Sequence, residues 1–442
     1  MSPYIYPPDE QIRSADGSSP LRSQAPPILA SIGTVLIDAF DSRPRPIADG
    51  NTTPTSTPAS RASSSASTPS TKSTNLLASS SHLRPTSPIG SSPHTPQMTF
   101  GDDDPTSNGG KSYEMLGGGA LYALVGARFW LPPNSLRTLV DRAPSKEMDD
   151  LPIGVESELA KLGKEIWIWN RGEGTRMTRA RIRYEGDVRF FQQIVKAPFR
   201  TMSQIATSPL YNAKYLHISP PYSPEDVAGL QAELQTLNER SDAPEWRPKI
   251  VFEPTPPSCH PGQKQWLEKI LPGIEVLSPN HEELFSFYAI PIMEITDPEL
   301  RPTVERLINH ILHNVGIGKD GNGIVVVRCG RLGACVGTKV GGLRWCPAYF
   351  DGEEVDRVKD VTGAGNSFLG GYVAGLSISN DPYEALLYAT VSASFVVEQY
   401  GLPLLTFEEV KSDYKDNNVD RELWNDEIPS NRLKVLRNRV SQ

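Results

Sequence analysis

Cysteine is scarce in this 442-residue chain, which has only four, and no two of them form a CxxC pair. This spacing argues against a zinc site built on cysteine pairs and against a scaffold that depends on disulfides. A chain of this length can also bury a core without cross-links. We therefore interpret Cys259, Cys329, Cys335 and Cys346 as free thiols.

Long hydrophobic runs and an excess of basic residues are missing as well. No apolar run approaches the roughly 18 residues that a membrane span needs, and the mean hydropathy is -0.37. The formal net charge is -8, which argues against nucleic-acid binding through phosphate neutralisation. The N-terminus has no basic segment followed by an apolar stretch, so no secretory signal is predicted. We expect a cytoplasmic protein whose partners are small molecules or other proteins.

A polar segment interrupts the chain. From Asn51 to about Gln97 almost every residue is Ser, Thr, Pro or Ala, and a polar acidic stretch continues to Lys111. Such a composition cannot bury enough apolar surface to offset the entropy of ordering, so about 50–111 is expected to be disordered, as are residues 1–26. The Ser-Pro and Thr-Pro pairs in the segment are explained either by regulatory phosphorylation or by composition alone.

Structured patterns lie on both sides of this segment, so it is predicted to interrupt one domain, residues 27–403, rather than to separate two. A charged extension, residues 404–442, follows and is expected to end in a helix that packs on the core. Short apolar runs alternate with helix-like stretches and predict strands near Ile166, Leu216, Val251, Val276 and Val326. This alternation predicts an α/β fold, a doubly wound and mostly parallel sheet flanked by helices.

Two further elements are predicted around the main sheet. One strand is expected between Pro26 and Phe40, and alternating polar and apolar residues from Gly174 to Gln192 predict an antiparallel ribbon that forms a small β lid. Ligands of doubly wound sheets bind outside the carboxyl ends of the strands. The polar residues just past the predicted strands are therefore expected to converge on one crevice, and they are Asp38, Glu253, Asn280 and Gly330.

The stretch DVTGAGNSFLGG, from Asp360 to Gly371, places a glycine-rich turn before an apolar helix. Gly363, Ala364 and Gly365 permit a tight turn whose backbone N–H groups point outward, next to the positive end of the helix. The turn is therefore predicted to bind an anion such as phosphate. A phosphoryl-transfer site of this kind would normally carry a carboxylate that accepts the proton of the substrate hydroxyl, where this chain has Asn366.

The motif DVTGAGNSF resembles the DTxGAGDxF signature of the PfkB carbohydrate kinases, the ribokinase-like sugar and nucleoside kinases. The resemblance covers about Pro27 to Pro403 apart from the insertion, and it is strongest to the fungal maintenance-of-killer branch. It implies a ribokinase-like fold that transfers the γ-phosphate of ATP, with Mg²⁺, to a sugar-like or nucleoside-like hydroxyl.

The resemblance also implies residue roles. The residues implied to act in catalysis are Asn366 and the turn residues Gly363, Ala364 and Gly365. The residues implied to bind the substrate are Asp38, Gly117 and Gly118. For the nucleotide it implies Asn280, Glu283, Gly330, Gly333, Asp360, Thr362 and Ser392, with Glu283 as the candidate magnesium ligand. The adenine is expected near the helix of Ser392, for which ordinary core packing is the alternative.

Three departures from the family pattern concern function. Asn366 cannot take a proton. Leu121 and Tyr122 occupy the neighbourhood in which the family has an asparagine that holds sugar hydroxyls, and Arg328 with Cys329 replaces a Thr-Leu-like pair at the nucleotide end. Two functions therefore stay open: a kinase whose activity is weak or lost, and a nucleotide-binding pseudokinase that acts as a scaffold for a protein partner.

Overall fold

The computed structural model describes residues 25–40, 113–145, 147–185, 188–240, 245–411 and 418–441. The segments that are expected to be disordered lie outside these residues, apart from Ala25 and Pro26. Among the described helices, none combines the length and the apolar character that crossing a bilayer requires.

The described residues form fifteen strands: β1 Leu29–Ser31, β2 Leu36–Phe40, β3 Tyr113–Gly117, β4 Leu136–Asp141, β5 Trp167–Asn170, β6 Thr178–Glu185, β7 Val188–Val195, β8 Tyr215–Ile218, β9 Lys249–Phe252, β10 Val276–Leu277, β11 Ile324–Arg328, β12 Ala334–Thr338, β13 Gly342–Cys346, β14 Leu405–Lys411 and β15 Asn418–Trp424. They also form ten α-helices: α1 Gly119–Arg128, α2 Val155–Gly163, α3 Met202–Ala206, α4 Pro224–Glu239, α5 Lys264–Ile270, α6 His281–Phe287, α7 Leu300–His310, α8 Ala364–Ser379, α9 Pro382–Val396 and α10 Pro429–Val440.

Nine strands form the main sheet in the order β13-β12-β11-β10-β9-β8-β1-β4-β5. The strands from β11 to β5 run parallel, and β12 and β13 are antiparallel at one edge. Successive residues of one strand belong to different buried clusters, since Val326 packs on one face while Val325 and Val327 pack on the other. The sheet is therefore buried on both faces, which confirms the predicted doubly wound fold class.

A second sheet has the order β3-β2-β6-β7, with β2 and β6 parallel and the other pairs antiparallel. The predicted ribbon is its β6–β7 hairpin. The prediction of a single strand between Pro26 and Phe40 is wrong, because this run contributes β1 to the main sheet and β2 to the small one. Asp38 consequently does not follow a strand of the main sheet but lies within β2, opposite Met115.

The break between β1 and β2 is caused by two segments that approach the chain closely. The carbonyl oxygen of Thr34 accepts the N–H of Ala120 at 2.9 Å, at the start of α1. A β-carbon on Gly33 would lie only 2.0 Å from Oγ of Ser219, just after β8. These contacts turn the chain out of the main sheet and bring the start of α1 to the carboxyl ends of its strands.

Helices α1 and α8 pack with almost no space between their backbones. A β-carbon on Gly126 would lie 2.0 Å from the carbonyl oxygen of Ser367, and one on Gly370 would lie 1.7 Å from that of Ala123. Only glycine permits such an approach. The close packing fixes the N-terminal half of α8 against α1.

The C-terminal segment belongs to the same core. Trp424, the last residue of β15, and Leu433 and Leu436 of α10 are buried in the cluster that contains residues of α1, α8 and α9. This confirms the expected terminal helix and its packing on the core. All four cysteines are buried free thiols, as predicted.

Candidate active site

The turn before α8 depends on a local hydrogen bond and on one glycine. Oδ1 of Asp360 accepts the N–H of Thr362 at 3.0 Å. Gly363 has a φ of 77°, a left-handed conformation that favours glycine, and a β-carbon there would lie 2.3 Å from Cγ of Tyr122. Within the described residues, no side chain caps the first turn of α8. The N–H of Ala364 donates to the carbonyl of Val361 at 3.2 Å. The other N–H groups of the first turn and the positive end of the helix dipole can bind an anion.

Asn366, in the first turn of α8, faces Glu253, the residue that follows β9. Nδ2 of Asn366 donates a hydrogen bond to Oε2 of Glu253 at 2.7 Å. Because only the amide nitrogen can donate to a carboxylate, this bond fixes the orientation of the amide and leaves Oδ1 to interact with a ligand. Asn366 can thus accept a hydrogen bond from a hydroxyl, but it cannot remove the proton.

Glu253 is a carboxylate only 3% exposed to solvent. Its Oε1 lies 2.8 Å from Nη1 of Arg328, and its Oε2 lies 3.3 Å from Nε2 of His217. Burial by itself would raise the pKa of the Glu253 carboxyl, but Arg328, His217 and Asn366 outweigh it and hold that pKa below its ordinary value. Glu253 is therefore ionised and weakly basic.

His217 extends this network away from the crevice. Its Nδ1 lies 2.9 Å from Oγ of Ser31. A Ser–His–carboxylate chain can be the machinery of a hydrolase, but Ser31 is 0% exposed and cannot reach a substrate. We interpret His217 and Ser31 as structural support for Glu253.

Arg328, the last residue of β11, places its guanidinium between two carboxylates. In addition to the ion pair with Glu253, Nη2 donates to the carbonyl of Ser278 at 3.0 Å and lies 3.6 Å from Oε2 of Glu283. A β-carbon on Gly365 would lie 2.0 Å from Nη1 of Arg328. The guanidinium therefore packs directly against the first turn of α8, in the centre of the site.

Asn280 and Glu283 form a capping box at the start of α6. Oδ1 of Asn280 accepts the N–H of Glu283 at 2.7 Å, and Oε2 of Glu283 accepts the N–H of Asn280 at 2.8 Å. Burial raises the pKa of Glu283 to about 7, although Arg328 opposes the shift. The two residues thus position the start of α6 beside Arg328.

The family resemblance implies magnesium at Glu283, and the geometry of this carboxylate does not fit direct coordination. Mg²⁺ requires near-octahedral oxygen ligands at about 2.1 Å. Oε2 of Glu283 is already occupied by the cap, and the guanidinium of Arg328 lies beside it. In the described part of the chain, no three Asp, Glu, His or Cys side chains come together as a metal site.

On the predicted substrate side, Asp38, Gly117 and Gly118 lie where the small sheet meets α1. A β-carbon on Gly117 would lie 2.4 Å from Oδ2 of Asp38, and Gly118 is the N-cap of α1 with a φ of 108°. The third glycine of the run, Gly119, is the one that lies next to Asn366. A β-carbon added to Gly119 would lie 3.3 Å from Nδ2 of Asn366. The family resemblance implies substrate binding only for the first two glycines, Gly117 and Gly118.

Three further residues lie on this side of the site. Leu121 and Tyr122 occupy the neighbourhood in which the family has a sugar-binding asparagine. They are 0% and 2% exposed and pack inside the protein. Ser219 was not predicted from the sequence as a site residue. It is fully buried, and among the described residues its Oγ has no hydrogen-bond partner. Ser219 directly follows the predicted strand near Leu216, so the rule that selected Glu253 could have found it.

On the predicted nucleotide side, Gly330 and Gly333 form the tight turn between β11 and β12. The N–H of Cys329 donates to the carbonyl of Gly333 at 2.7 Å. A β-carbon on Gly333 would lie 2.0 Å from the carbonyl oxygen of Cys346. This turn directly follows Arg328 and so helps to place the guanidinium.

Ser392 is not brought to the crevice. Its hydroxyl is fully buried, accepts a hydrogen bond from Nε1 of Trp130 at 2.8 Å and lies 3.0 Å from the carbonyl of Gly126. Val391 and Phe395 of the same helix are also completely buried. The surroundings of Ser392 are those of core packing, the alternative considered for this helix.

Comparison with known proteins identifies relatives of the chain. A family model described as pfkB family carbohydrate kinase matches residues 185–405. An uncharacterized protein of Schizosaccharomyces pombe is 29% identical over 361 residues, which cover 77% of this chain and 91% of that protein. Protein MAK32 of Saccharomyces cerevisiae is 29% identical over 164 residues, which cover 36% of this chain and 43% of that protein. These matches confirm the expected similarity to a fungal branch.

Solved structures share the fold. The ribokinase of Cryptococcus neoformans in complex with ADP superposes with a TM-score of 0.50 at 19% identity, covering 85% of this chain and 95% of that one. The adenosine kinase of Anopheles gambiae in complex with P1,P4-di(adenosine-5) tetraphosphate gives 0.54 at 14% identity, covering 85% and 97%. At such identities the likeness concerns the fold alone, and it confirms the ribokinase-like fold class.

Proposed function

This chain belongs to the pfkB family of carbohydrate kinases, and from this premise we propose that it binds ATP through its phosphates at the first turn of α8 while transferring phosphate poorly. The observation that carries the proposal is the hydrogen bond of 2.7 Å from Nδ2 of Asn366 to Oε2 of Glu253. In this proposal the amide of Asn366 stands where the family has its catalytic base. It lies beside a turn that can still bind anions.

The loss of the base sets the expected size of the defect. General-base assistance contributes about 10²–10⁴ in rate, or roughly 2.7–5.4 kcal/mol. Phosphoryl transfer depends mainly on positioning and electrostatics, so a slow residual reaction is compatible with this site. Nucleotide binding is expected to persist, because Asn366 removes a negative charge from the neighbourhood of the phosphates.

We therefore favour a pseudokinase, a nucleotide-binding protein whose nucleotide-bound and free forms are recognised by a protein partner. One observation supports a second candidate, a slow kinase that acts on a sugar-like or nucleoside-like hydroxyl. Glu253 provides an ionised carboxylate one hydrogen bond away from Asn366. With a modest side-chain shift this carboxylate would replace the missing base, although its lowered pKa makes it a weak one.

Two measurements on the native protein test the proposal. Calorimetry with ATP is expected to detect binding, and the absence of binding at millimolar nucleotide contradicts the whole proposal. Transfer of phosphate from ATP to a panel of sugars and nucleosides is expected to be far below the roughly 1–100 s⁻¹ of kinases. Turnover in that range would exclude the pseudokinase.

Two controls accompany these assays. The Gly365→Asp variant places a carboxylate in the anion-binding turn and is expected to lose ATP binding, so it defines the background. Deamidation of Asn366 in the Asn-Ser sequence would create an aspartate, and the mass of the peptide that contains it must therefore be checked before weak activity is assigned to the native chain.

A further inference from the structure

The guanidinium of Arg328 has more donors than its protein partners use. Arginine carries five N–H donors in a planar fork. Nη1 faces Glu253 at 2.8 Å and Nη2 donates to the carbonyl of Ser278 at 3.0 Å. Nε is buried and has no hydrogen-bond partner among the described residues. The fork is thus held in place. Because Nε is buried and Nη2 also lies 3.6 Å from Oε2 of Glu283, the donor left over for an additional acceptor is the second N–H of Nη1.

The position of this fork coincides with the anion-binding turn. Nη1 packs so closely against Gly365 that a β-carbon there would lie 2.0 Å away. An anion bound by the first-turn N–H groups of α8 would therefore also face a fixed positive charge. Guanidinium groups bind phosphate strongly because charge-assisted hydrogen bonds combine with the fork geometry.

The same guanidinium supplies positive charge to two buried acidic side chains. It lies beside Glu253 and, at 3.6 Å, beside Oε2 of Glu283. These two acidic side chains are 3% and 7% exposed, respectively. A magnesium ion bound directly to Glu283 would have to approach this positive charge, and the carboxylate oxygen is already engaged in the capping box.

We propose that Arg328 takes the place of the divalent cation in this site, so that the phosphates of a nucleotide are bound by the guanidinium and the first turn of α8 without a metal ion. This proposal rests on the proposed nucleotide site. It adds a recognition rule: the preferred ligand is the metal-free polyphosphate, whereas a site of the family type prefers the magnesium complex.

Calorimetry of the full-length protein tests this rule, with ATP as the probe in buffers that contain either Mg²⁺ or EDTA. The dissociation constant of the native protein is expected to differ by less than about 3-fold between the two buffers. Binding in Mg²⁺ that weakens more than about 30-fold in EDTA overturns the inference but leaves the proposed nucleotide site standing. No binding in either buffer overturns both.

Variants locate the effect. Arg328→Thr, which restores the family residue type, is expected to weaken ATP binding in EDTA by about 10- to 100-fold, because charge-assisted hydrogen bonds are lost. Arg331→Gln is the matched control, since Arg331 is exposed in the turn that follows β11, and it is expected to change binding by less than about 2-fold.

The Arg328→Thr variant leaves Glu253 and Glu283 without the guanidinium, and this loss could prevent folding. A third variant covers that case. Arg328→Lys keeps the charge but loses the fork, and it is expected to give intermediate affinity in EDTA. If the affinity in EDTA is unchanged in every Arg328 variant that folds, the inference is overturned.

Discussion

Nδ2 of Asn366 donates a hydrogen bond of 2.7 Å to Oε2 of Glu253, so the amide at position 366 is paired with a buried carboxylate. An aspartate at position 366 would therefore place two carboxylates in direct contact. Such a pair shares one proton and titrates as a unit. The consequence is that the site cannot be repaired at position 366 alone.

We accordingly predict that Asn366→Asp by itself does not restore kinase activity at neutral pH. Arg328 keeps Glu253 ionised, so the introduced aspartate would hold the shared proton and could not act as a base. In the double variant Glu253→Gln with Asn366→Asp, the amide at position 253 would donate to an ionised carboxylate at position 366. This carboxylate can act as the base, so the transfer rate is expected to rise by about 10²-fold or more. Phosphate transfer to a panel of sugars and nucleosides measures both variants.

Glu253→Gln alone is the control for this pair, and it is expected to show no gain because it supplies no base. The single Asn366→Asp variant should also become more active as the pH rises, when the pair releases its proton. A full gain of activity by the single variant at pH 7 would contradict the assigned pairing of Asn366 with Glu253.

The glycine before α8 gives a second prediction, on stability. Gly363→Ala forces an alanine into φ of 77° and places its β-carbon 2.3 Å from Cγ of Tyr122, which is 2% exposed. We expect the free energy of unfolding to fall by about 2–4 kcal/mol, measured by urea denaturation. Gly352→Ala is the matched control, because Gly352 has φ of 53° and no atom within 4 Å of its added β-carbon. It should cost only about 1 kcal/mol, and equal losses would show that the contact with Tyr122 is unimportant.

A third prediction concerns pH. Burial raises the pKa of Glu283 from 4.5 to about 7. A group with a higher pKa in the folded state contributes stability that is complete below the unfolded pKa and is lost as the pH rises through the folded pKa. Glu283→Gln removes this titration and keeps the capping box. Relative to the native protein, the variant should gain about 1–3 kcal/mol in unfolding free energy between pH 4.5 and pH 8.

Urea denaturation at several pH values in this window checks the prediction. The native protein and the variant are compared at each pH, so that titrations of other groups cancel. A stability difference that is the same at pH 4.5 and at pH 8 would mean that Glu283 keeps an ordinary pKa.

A fourth prediction concerns the attachment of the C-terminal segment. Arg432 of α10 is 2% exposed. It pairs with Glu398 and with Glu427, each at 2.7 Å, and its guanidinium lies 3.8 Å from the ring centroid of Phe395. Arg432→Ala should lower the free energy of unfolding by about 2–4 kcal/mol, because it empties buried space and leaves Arg357 as the remaining arginine partner of both carboxylates.

Arg421→Ala provides the comparison, because the Arg421–Glu408 pair is exposed and 3.7 Å long. It is expected to cost less than about 1 kcal/mol. Thermal and urea unfolding measure both variants. A small effect of Arg432→Ala would mean that the C-terminal helix contributes little to the stability of the domain.

The sequence by itself determined the fold class, since strand and helix patterns alternate regularly and the predicted strands are short apolar runs. It also determined the glycine-rich turn before α8, because a glycine run before an apolar helix is a local signal that neighbours do not change. It did not reveal that Ile32–Val35 breaks the first strand, because Ala120 and Ser219, which cause the break, are distant in sequence.

Only the tertiary structure decided how the site is assembled. Asn366, Glu253 and Arg328 come from three separate segments, and their hydrogen bonds and ion pair arise where α8, β9 and β11 meet at one crevice. Ser392 shows the converse, since a residue assigned by analogy lies in the core once the helices are packed. Residue types and local periodicity are encoded along the chain, whereas the distance between two side chains depends on how every intervening element packs.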